Sequence, residues 1–402
     1  MNIIQANKFS FMQGGAERYL LDVSAWLASE GHDVIPFSMQ HPDNLETGYE
    51  KYFPSFVQTG RVTKNWQGVR TLSRMVYSLE ARRKMATLIT DTKPDIAHIH
   101  NIYSQLSPSI LDTLRDQKIP TVMTVHDHHL ISPQYNIWAH GCGKDYRDVG
   151  VVRGTLSRFH KDSVMASFAQ TAAYRFHRWL KIYERGVDLF MCPSQYMKRQ
   201  LVRRGFPEEK IRVNYFGIDP HVFTPHFDHD GYFFYAGRLS NEKGIETIIH
   251  AAKIIGDVKV KIAGRGPEME RLHHLAHDVP NVEFLGFRSR EEVMELYRGA
   301  IAVLLPSRVH ENFPLMVLEA LASGKPVIAS DVGGVSEMID DRVNGFLVSP
   351  MDVFGWVESM MRLAYDDRLQ QTMSRAARTT VEHRFRLEDH YQRLMGMYQE
   401  VL

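Results

Sequence analysis

The sequence predicts an α/β protein made of two successive parallel-sheet units. Three observations point there. Short apolar runs alternate with helical periodicity from residue 2 onward, the rhythm of strand–helix–strand units. The same rhythm restarts after a polar stretch from His221 to Asp230, with Pro220 just before it and Pro225 within it, which reads as a linker. Glycine-bearing loops follow several strand ends, where ligands collect in open parallel sheets.

The totals agree with this class. A chain of 402 residues with 44% hydrophobic and 24% charged content has material for two or three domains. Its formal net charge of +1 gives no global signal for nucleic acid or for a strongly acidic partner. Cys142 and Cys192 stand too far apart for metal-ligand spacing, which suits a reducing, cytoplasmic setting. The first residues lack the charged and apolar regions of a signal peptide, and no apolar run approaches membrane-span length.

In order, the first unit opens with a strand at Asn2 to Ala6. A loop carrying Gly14 and Gly15 enters a helix that runs to about Glu30, and Gly31 closes it before a strand at Asp33 to Phe37. The glycine pair lets backbone approach a ligand at a helix start. Residues 40 to 75 carry no clear period. Strands follow at Asp95 to His100 and Thr121 to Val125, so His100, Asn101 and His126 fall at strand ends. There His126 can donate a hydrogen bond to a ligand or share a proton. A zinc site from His126, His128 and His129 is the weaker alternative, because no nearby Cys or Glu completes a set.

Between residues 144 and 185, nine Lys or Arg face four Asp or Glu. Met165, Phe168, Ala172, Phe176, Trp179 and Tyr183 recur there at helical spacing, flanked by Arg175, Arg178 and Lys181. Two expectations compete. One is a core-facing helix with a solvated basic face; the other is an amphipathic segment resting on an anionic membrane surface. A strand at Leu189 to Pro193, a helix opened by Ser194 and a strand at Arg212 to Tyr215 end the unit.

The second unit begins with a strand at Tyr232 to Ala236. The loop that follows holds Arg238 and Lys243 ahead of a helix marked by Ile245, Ile248, Ile249, Ala252 and Ile255. Two cations beside helix amides can hold a diphosphate and neutralise its developing charge. A strand at Val258 to Ala263 enters a Gly264–Arg265–Gly266 loop, and another strand, Val282 to Leu285, leads to Gly286 and Phe287.

Next comes His310–Glu311–Asn312–Phe313–Pro314–Leu315, then an apolar run carrying Glu319. Pro314 suits a helix first turn, while Gly324 and Pro326 suit its end, so a helix is expected from about Pro314 to Ser323 between strands at Ala302 to Leu305 and Pro326 to Ser330. Its amino end is a phosphate seat. Glu311 lies just outside it, and Glu319 lies roughly 7 Å along the axis at about 1.5 Å per residue. A short helix is expected at Val335 to Ile339, and the chain should end in a helix from Leu387 to Leu402.

Gly14–Gly15 with Glu17, Thr124–Val125–His126–Asp127, Gly237–Arg238–Leu239 with Glu242–Lys243–Gly244, Gly264 to Gly266, and Glu311 with Glu319 occur in that order. Together they resemble the retaining glycosyltransferases of family 4. The resemblance implies two Rossmann-like domains facing across a cleft, the GT-B fold. The implied division is residues 1–220 on the acceptor side, 221–382 for the donor, and 383–402 as a helix crossing back.

It further implies a nucleotide diphosphate sugar such as a UDP- or GDP-hexose, used with no metal and no cofactor. Arg238 and Lys243 would bind the diphosphate, and Glu319 the ribose hydroxyls. Glu311 would bind the transferred sugar, with backbone near Asn312, Phe313, Pro314 and Leu315. Gly14 and Gly15 would approach the phosphates, His126 would contact the sugar, and the base would lie near Gly264, Arg265 and Phe287. Many relatives carry glycine where this chain has Asn312 and Pro314, so one amide contact is missing. The expected acceptor is a cell-surface glycan or its lipid-linked precursor at the inner face of the membrane, met near His100 and Asn101. A soluble small acceptor, or a GT-B subunit without catalysis, are the alternatives.

Overall fold

A computed structural model of the chain describes residues 1–57, 73–135, 137–139, 142–143, 149–160 and 162–402. Its frame is two six-stranded parallel sheets. The first is ordered β2-β1-β3-β4-β7-β8, from β1 (Asn2–Ala6), β2 (Asp33–Phe37), β3 (Ile96–Ile99), β4 (Thr121–Thr124), β7 (Leu189–Cys192) and β8 (Ile211–Val213). A two-residue hairpin, β5 (Trp138–Ala139) with β6 (Cys142–Gly143), stands apart. The second sheet is ordered β11-β10-β9-β12-β13-β14. It is built from β9 (Tyr232–Ala236), β10 (Lys259–Ala263), β11 (Val282–Gly286), β12 (Ala300–Leu305), β13 (Val327–Ser330) and β14 (Gly345–Val348).

Strands covered on both faces read as near-continuous apolar runs. The Ala300–Leu305 strand is buried at every residue, as are β3, β4, β7 and β13. The covering helices are α1 (Gly15–Ser29), α2 (Leu79–Thr92), α3 (Ser109–Asp116), α4 (Val151–Leu156), α5 (Val164–Leu180), α6 (Ile182–Gly186) and α7 (Gln195–Arg203) around the first sheet. Around the second are α8 (Ile245–Ile255), α9 (Met269–Leu275), α10 (Arg290–Arg298), α11 (Leu315–Ala322), α12 (Val353–Tyr365) and α13 (Asp367–Arg384). The last helix, α14 (Leu387–Val401), returns to the first sheet. Tyr398 hydrogen-bonds His98 at 2.7 Å, His390 bonds Tyr19 at 3.0 Å, and Tyr391 stacks on Trp26 at 4.0 Å.

Both sheets reverse strand order at one point. β1 is flanked by β2 and β3, and β9 by β10 and β12. Loops leaving neighbouring strands diverge there and open a crevice. All the motif loops with Arg238, Lys243, Glu311, Gly14 and Gly15 leave strands at these two points.

Three expectations need correction. The helix near Pro314 starts one residue later, because Pro314 takes an extended ψ of 115° and serves as its N-cap. The helix expected at Val335 to Ile339 is only a single 3₁₀ turn, Val335–Glu337. It follows Gly333, whose φ is +64° and where a Cβ would meet the Glu311 carbonyl oxygen at 2.1 Å.

The third correction concerns α5. Most of the expected core-facing stripe faces outward: Met165, Phe168, Phe176 and Trp179 are exposed, Trp179 by 77%, while Ala172 is half-buried and Tyr183 alone is in the core. The buried side is made of Ala166, Ser167, Ala169, Gln170, Thr171, Ala173, Tyr174 and His177. Residues 58–72 of the aperiodic stretch and Lys144, Arg147 and Lys161 of the basic segment lie outside the described residues.

The return of α14 requires close backbone contact at Gly217. A Cβ there would meet Arg386 O at 2.6 Å and Leu387 Cα at 2.7 Å, and the two segments are tied by Ile218 N–Phe385 O and Leu387 N–Ile218 O bonds. Gly217→Ala should therefore destabilise the protein by ~1–3 kcal/mol, the usual cost of overpacking. Gly396→Ala, in α14 with nothing within 4 Å of the added Cβ, should instead stabilise by up to ~1 kcal/mol. Unfolding midpoints of the two variants check the pair; equal midpoints would remove the crossing contact as a constraint.

Candidate active site

A cleft cavity of ≈ 710 Å³ lies between the carboxyl ends of the two sheets. From the second sheet it is lined by Gly237, Arg238 and Lys243 after β9, and by Glu311, Asn312, Phe313, Pro314, Leu315 and Met316 after β12. From the first come Gly15, Ala16 and Glu17 at the start of α1, with Lys8, Asn101, His126 and Asp127 at strand ends.

The two second-sheet loops are forced together. Gly244 has φ +69°, and a Cβ there would meet Pro306 O at 2.0 Å, so only glycine lets the β9 loop pass the β12 loop. That approach sets Lys243 Nζ 2.6 Å from Glu311 Oε1, which also accepts a hydrogen bond from Ser307 at 2.5 Å. Burial pushes the Glu311 carboxyl up, but the Lys243 ammonium and the Ser307 hydroxyl outweigh it and hold its pKa below the usual carboxylate value. Burial likewise works against the Lys243 charge, and Glu311 reverses it, leaving the ammonium with a raised pKa. Arg238 is exposed on the same wall, and its guanidinium has no ion-pair partner among the described residues.

The amino ends of α1 and α11 face each other across the cleft, with a Cβ on Gly15 falling 4.0 Å from Leu315 Cδ1. Their first-turn amides have no helical acceptors, so two partial positive charges converge on one space. Gly14 is the extended N-cap of α1. Asn312, expected on the donor, has its side chain committed elsewhere: it accepts from Ser194 at 2.8 Å and donates to Val125 O at 2.8 Å. It thereby ties the two units together.

Glu319 is buried, but not in the cavity wall. Its Oε1 is paired with Arg18 of α1, and its Oε2 accepts from Tyr297 at 3.3 Å. Gly264, Arg265 and Phe287 lie outside the cavity lining. There Arg265 covers the exposed Phe287 ring at 5.7 Å. Gly264 has φ +141° and is packed against Gly237.

On the first sheet, His126 lines the cleft and Asn101 stands beside it. His100, expected on the acceptor side, does not reach the cavity: it is fully buried behind His126 and bonded to it at 2.9 Å. The zinc alternative fails on geometry. His126 turns to His100, His128 to Tyr196 at 3.3 Å, and His129 stacks on Tyr103 at 4.0 Å.

Sequence reasoning missed Lys8, Gln170 and Arg18, named Glu17 and Asp127 only within motifs, and named His129 only for the zinc alternative. Lys8 and Asp127 stand just beyond β1 and β4, so the strand-end rule could have found both. Burial raises Asp127 to about 6, against the pull of the His129 amide and Lys8.

Comparison with known proteins agrees with this architecture. The model described as Glycosyltransferase Family 4 matches residues 13–222, and that of Glycosyl transferases group 1 matches residues 221–380. An uncharacterised glycosyltransferase of Methanocaldococcus jannaschii is 30% identical over 85% of this chain and 84% of its own length. The amylovoran biosynthesis glycosyltransferase AmsK of Erwinia amylovora is 28% identical over 52% of this chain and 55% of its own. Among solved structures, Anabaena HepE in complex with UDP-glucose superposes with a TM-score of 0.69 over 100% of both chains at 18% identity. Two parallel sheets facing across a cleft, with both family models matched in sequence along it, make this chain a family-4 glycosyltransferase of the GT-B fold.

Proposed function

We propose that the chain transfers a hexose from a nucleotide diphosphate sugar, with retention of configuration and without a metal, to a hydroxyl of a glycan or lipid-linked glycan precursor. One observation carries this: Lys243 and Arg238 on one wall, and two helix amino ends from opposite walls, converge on one cleft beside Glu311. A departing diphosphate gains charge as the glycosidic bond breaks, and preorganised cations and amides stabilise that charge most where it develops. In this reading Lys243 turns from Glu311 toward the diphosphate, while Glu311 accepts hydroxyls of the transferred sugar. Glu319 accepts the ribose hydroxyls once Arg18 releases it, and Arg265 with Phe287 flank the base. The acceptor attacks from the face the diphosphate leaves, and a departing phosphate oxygen takes its proton. The glycan acceptor draws support from the amylovoran relative. A UDP-sugar donor draws on the UDP-glucose complex of the HepE structure.

We also propose that the protein works against an anionic bilayer at the inner face of the membrane. Its α5 helix puts Gln170 into the cleft wall and turns Met165, Phe168, Phe176 and Trp179 outward, and Val152 and Leu156 of α4, which packs on α5, are exposed as well. Arg153, Arg158 and Lys181 of the same segment are exposed too. Apolar insertion combined with basic flanks suits acidic headgroups. Arg175 and Arg178 serve the fold instead, bonding Val149 O at 2.6 Å and Glu184 at 2.6 Å. No helix among the described residues is long and apolar enough to cross a membrane.

Lys243→Ala and Glu319→Ala should each weaken nucleotide-sugar binding by about 1–3 kcal/mol, the worth of a charged hydrogen bond; calorimetry giving unchanged affinity in both would refute the donor site. Glu311→Ala and His126→Ala should lower turnover more than donor affinity, and wild-type turnover in both would remove those roles. Flotation with anionic liposomes should retain the protein. Trp179→Ser with Lys181→Glu should release it, and equal retention of that variant would exclude this face as the contact.

A further inference from the structure

Gln5 in β1, His100 just past β3 and His126 just past β4 form a row across adjacent strands of the first sheet. Gln5 Oε1 lies 2.8 Å from His100 Nε2, and His100 Nδ1 lies 2.9 Å from His126 Nε2. Gln5 and His100 are buried; His126 alone of the three lines the cleft.

With the Gln5 oxygen toward His100, counting protons sets the roles along this row. A carboxamide oxygen can only accept, so His100 carries its proton on Nε2. A neutral imidazole protonated at Nε2 has a bare Nδ1, which can only accept. His126 therefore donates from Nε2, and its own Nδ1 keeps a lone pair. That atom has no hydrogen-bond partner among the described residues.

Both rings stay neutral. Burial drives His126 down to about 3, helped by the Lys8 charge, and holds His100 well below its ordinary value, helped by His98 and His126. Tyr19, edge-on at 5.4 Å, and Phe216 at 6.0 Å brace the His126 ring.

We propose that Gln5 and His100 are positioning residues that lock His126 as the Nε2–H tautomer, so that it meets a ligand through Nδ1 as an acceptor from a sugar hydroxyl. Toward the ligand the ring is then neither a donor nor a proton source, which reverses the expectation drawn from its strand-end position. The sugar hydroxyl rests on the glycosyltransferase reading; the tautomer does not. The opposite orientation of the Gln5 amide would invert every step and present an N–H to the cleft.

Long-range proton–nitrogen NMR on the full chain with labelled histidine, assigned with His126→Gln, separates the two. The expected result is a protonated Nε2 and a bare Nδ1 on His126 from about pH 6 to 8. A protonated Nδ1, or titration within that range, overturns the proposal. Gln5→Leu removes the terminal acceptor without touching His126. It should mix the His126 tautomers and lower kcat about tenfold, one hydrogen bond's worth, while donor KM stays within about twofold. Unchanged tautomer and kcat in that variant would also overturn it. The NMR result is read without turnover, so a chain that transfers no sugar would refute the functional reading and leave the tautomer assignment standing.

Discussion

The site depends on the passage of one loop across another at Gly244. The loop after β9 crosses the loop after β12 at a distance no side chain allows, since a Cβ at Gly244 would fall 2.0 Å from Pro306 O. This crossing brings Lys243 to Glu311. Once there, neither charge is independent. Each is carried into a partly enclosed wall where desolvation opposes it, and each is kept ionised by the other. The pair is thus a store of one cation and one anion, held at the amino end of α11 and able to be divided between two parts of a ligand that carries both a phosphate and hydroxyl groups.

A second pair repeats the arrangement between the two units. Arg18 extends from α1 to Glu319 on α11, and burial, which lowers the Arg18 pKa, is outweighed by that carboxylate. Asn312 adds hydrogen bonds to Ser194 and Val125 across the same gap, and Glu337 accepts from the amides of Gln195 and Tyr196. Of these residues Asn312 itself lines the cavity. Any ligand that recruits Glu319 or Arg18 also alters what holds the two sheets together, so binding and domain approach share the same atoms.

Much of this was legible in the sequence because the determinants were local. Strands β1, β2 and β9 and helix α8 fall where apolar runs and periodicity put them. Lys243, Arg238, Glu311 and Gly15 gather because parallel sheets present their loops at one end. Other features needed three dimensions. That Asn312 spends its side chain on Ser194 and Val125 depends on residues more than a hundred positions away. His100 and His126 share a strand-end position, yet one is shut behind the other, because the Gln5 side chain reaches His100 from the neighbouring strand. Helices α2, α3, α12 and α13 went unplaced, their flanking punctuation being weak beside the glycine loops of the site.

The inversion of α5 has its own physical reason. Helical periodicity announces that one face differs from the other, but not which face meets the protein. Here the inner face is chosen by fit. Gly154 of α4 sits where a Cβ would meet Thr171 at 2.7 Å, so the α4–α5 contact admits only small residues, and Ala166, Ala169 and Ala173 share the buried side. The polar members of that side are satisfied by specific partners. Thr171 bonds Ser167 O at 2.7 Å, Ser167 accepts from the His160 amide at 3.0 Å, and His177 bonds Val76 O at 2.7 Å. Where α4 crosses at Thr171 a side chain the size of Phe168 or Trp179 has no room, and these large side chains stand on the outer surface of the helix that also carries Gln170 into the cleft wall. The outward apolar face thus follows from how tightly the inner one is built.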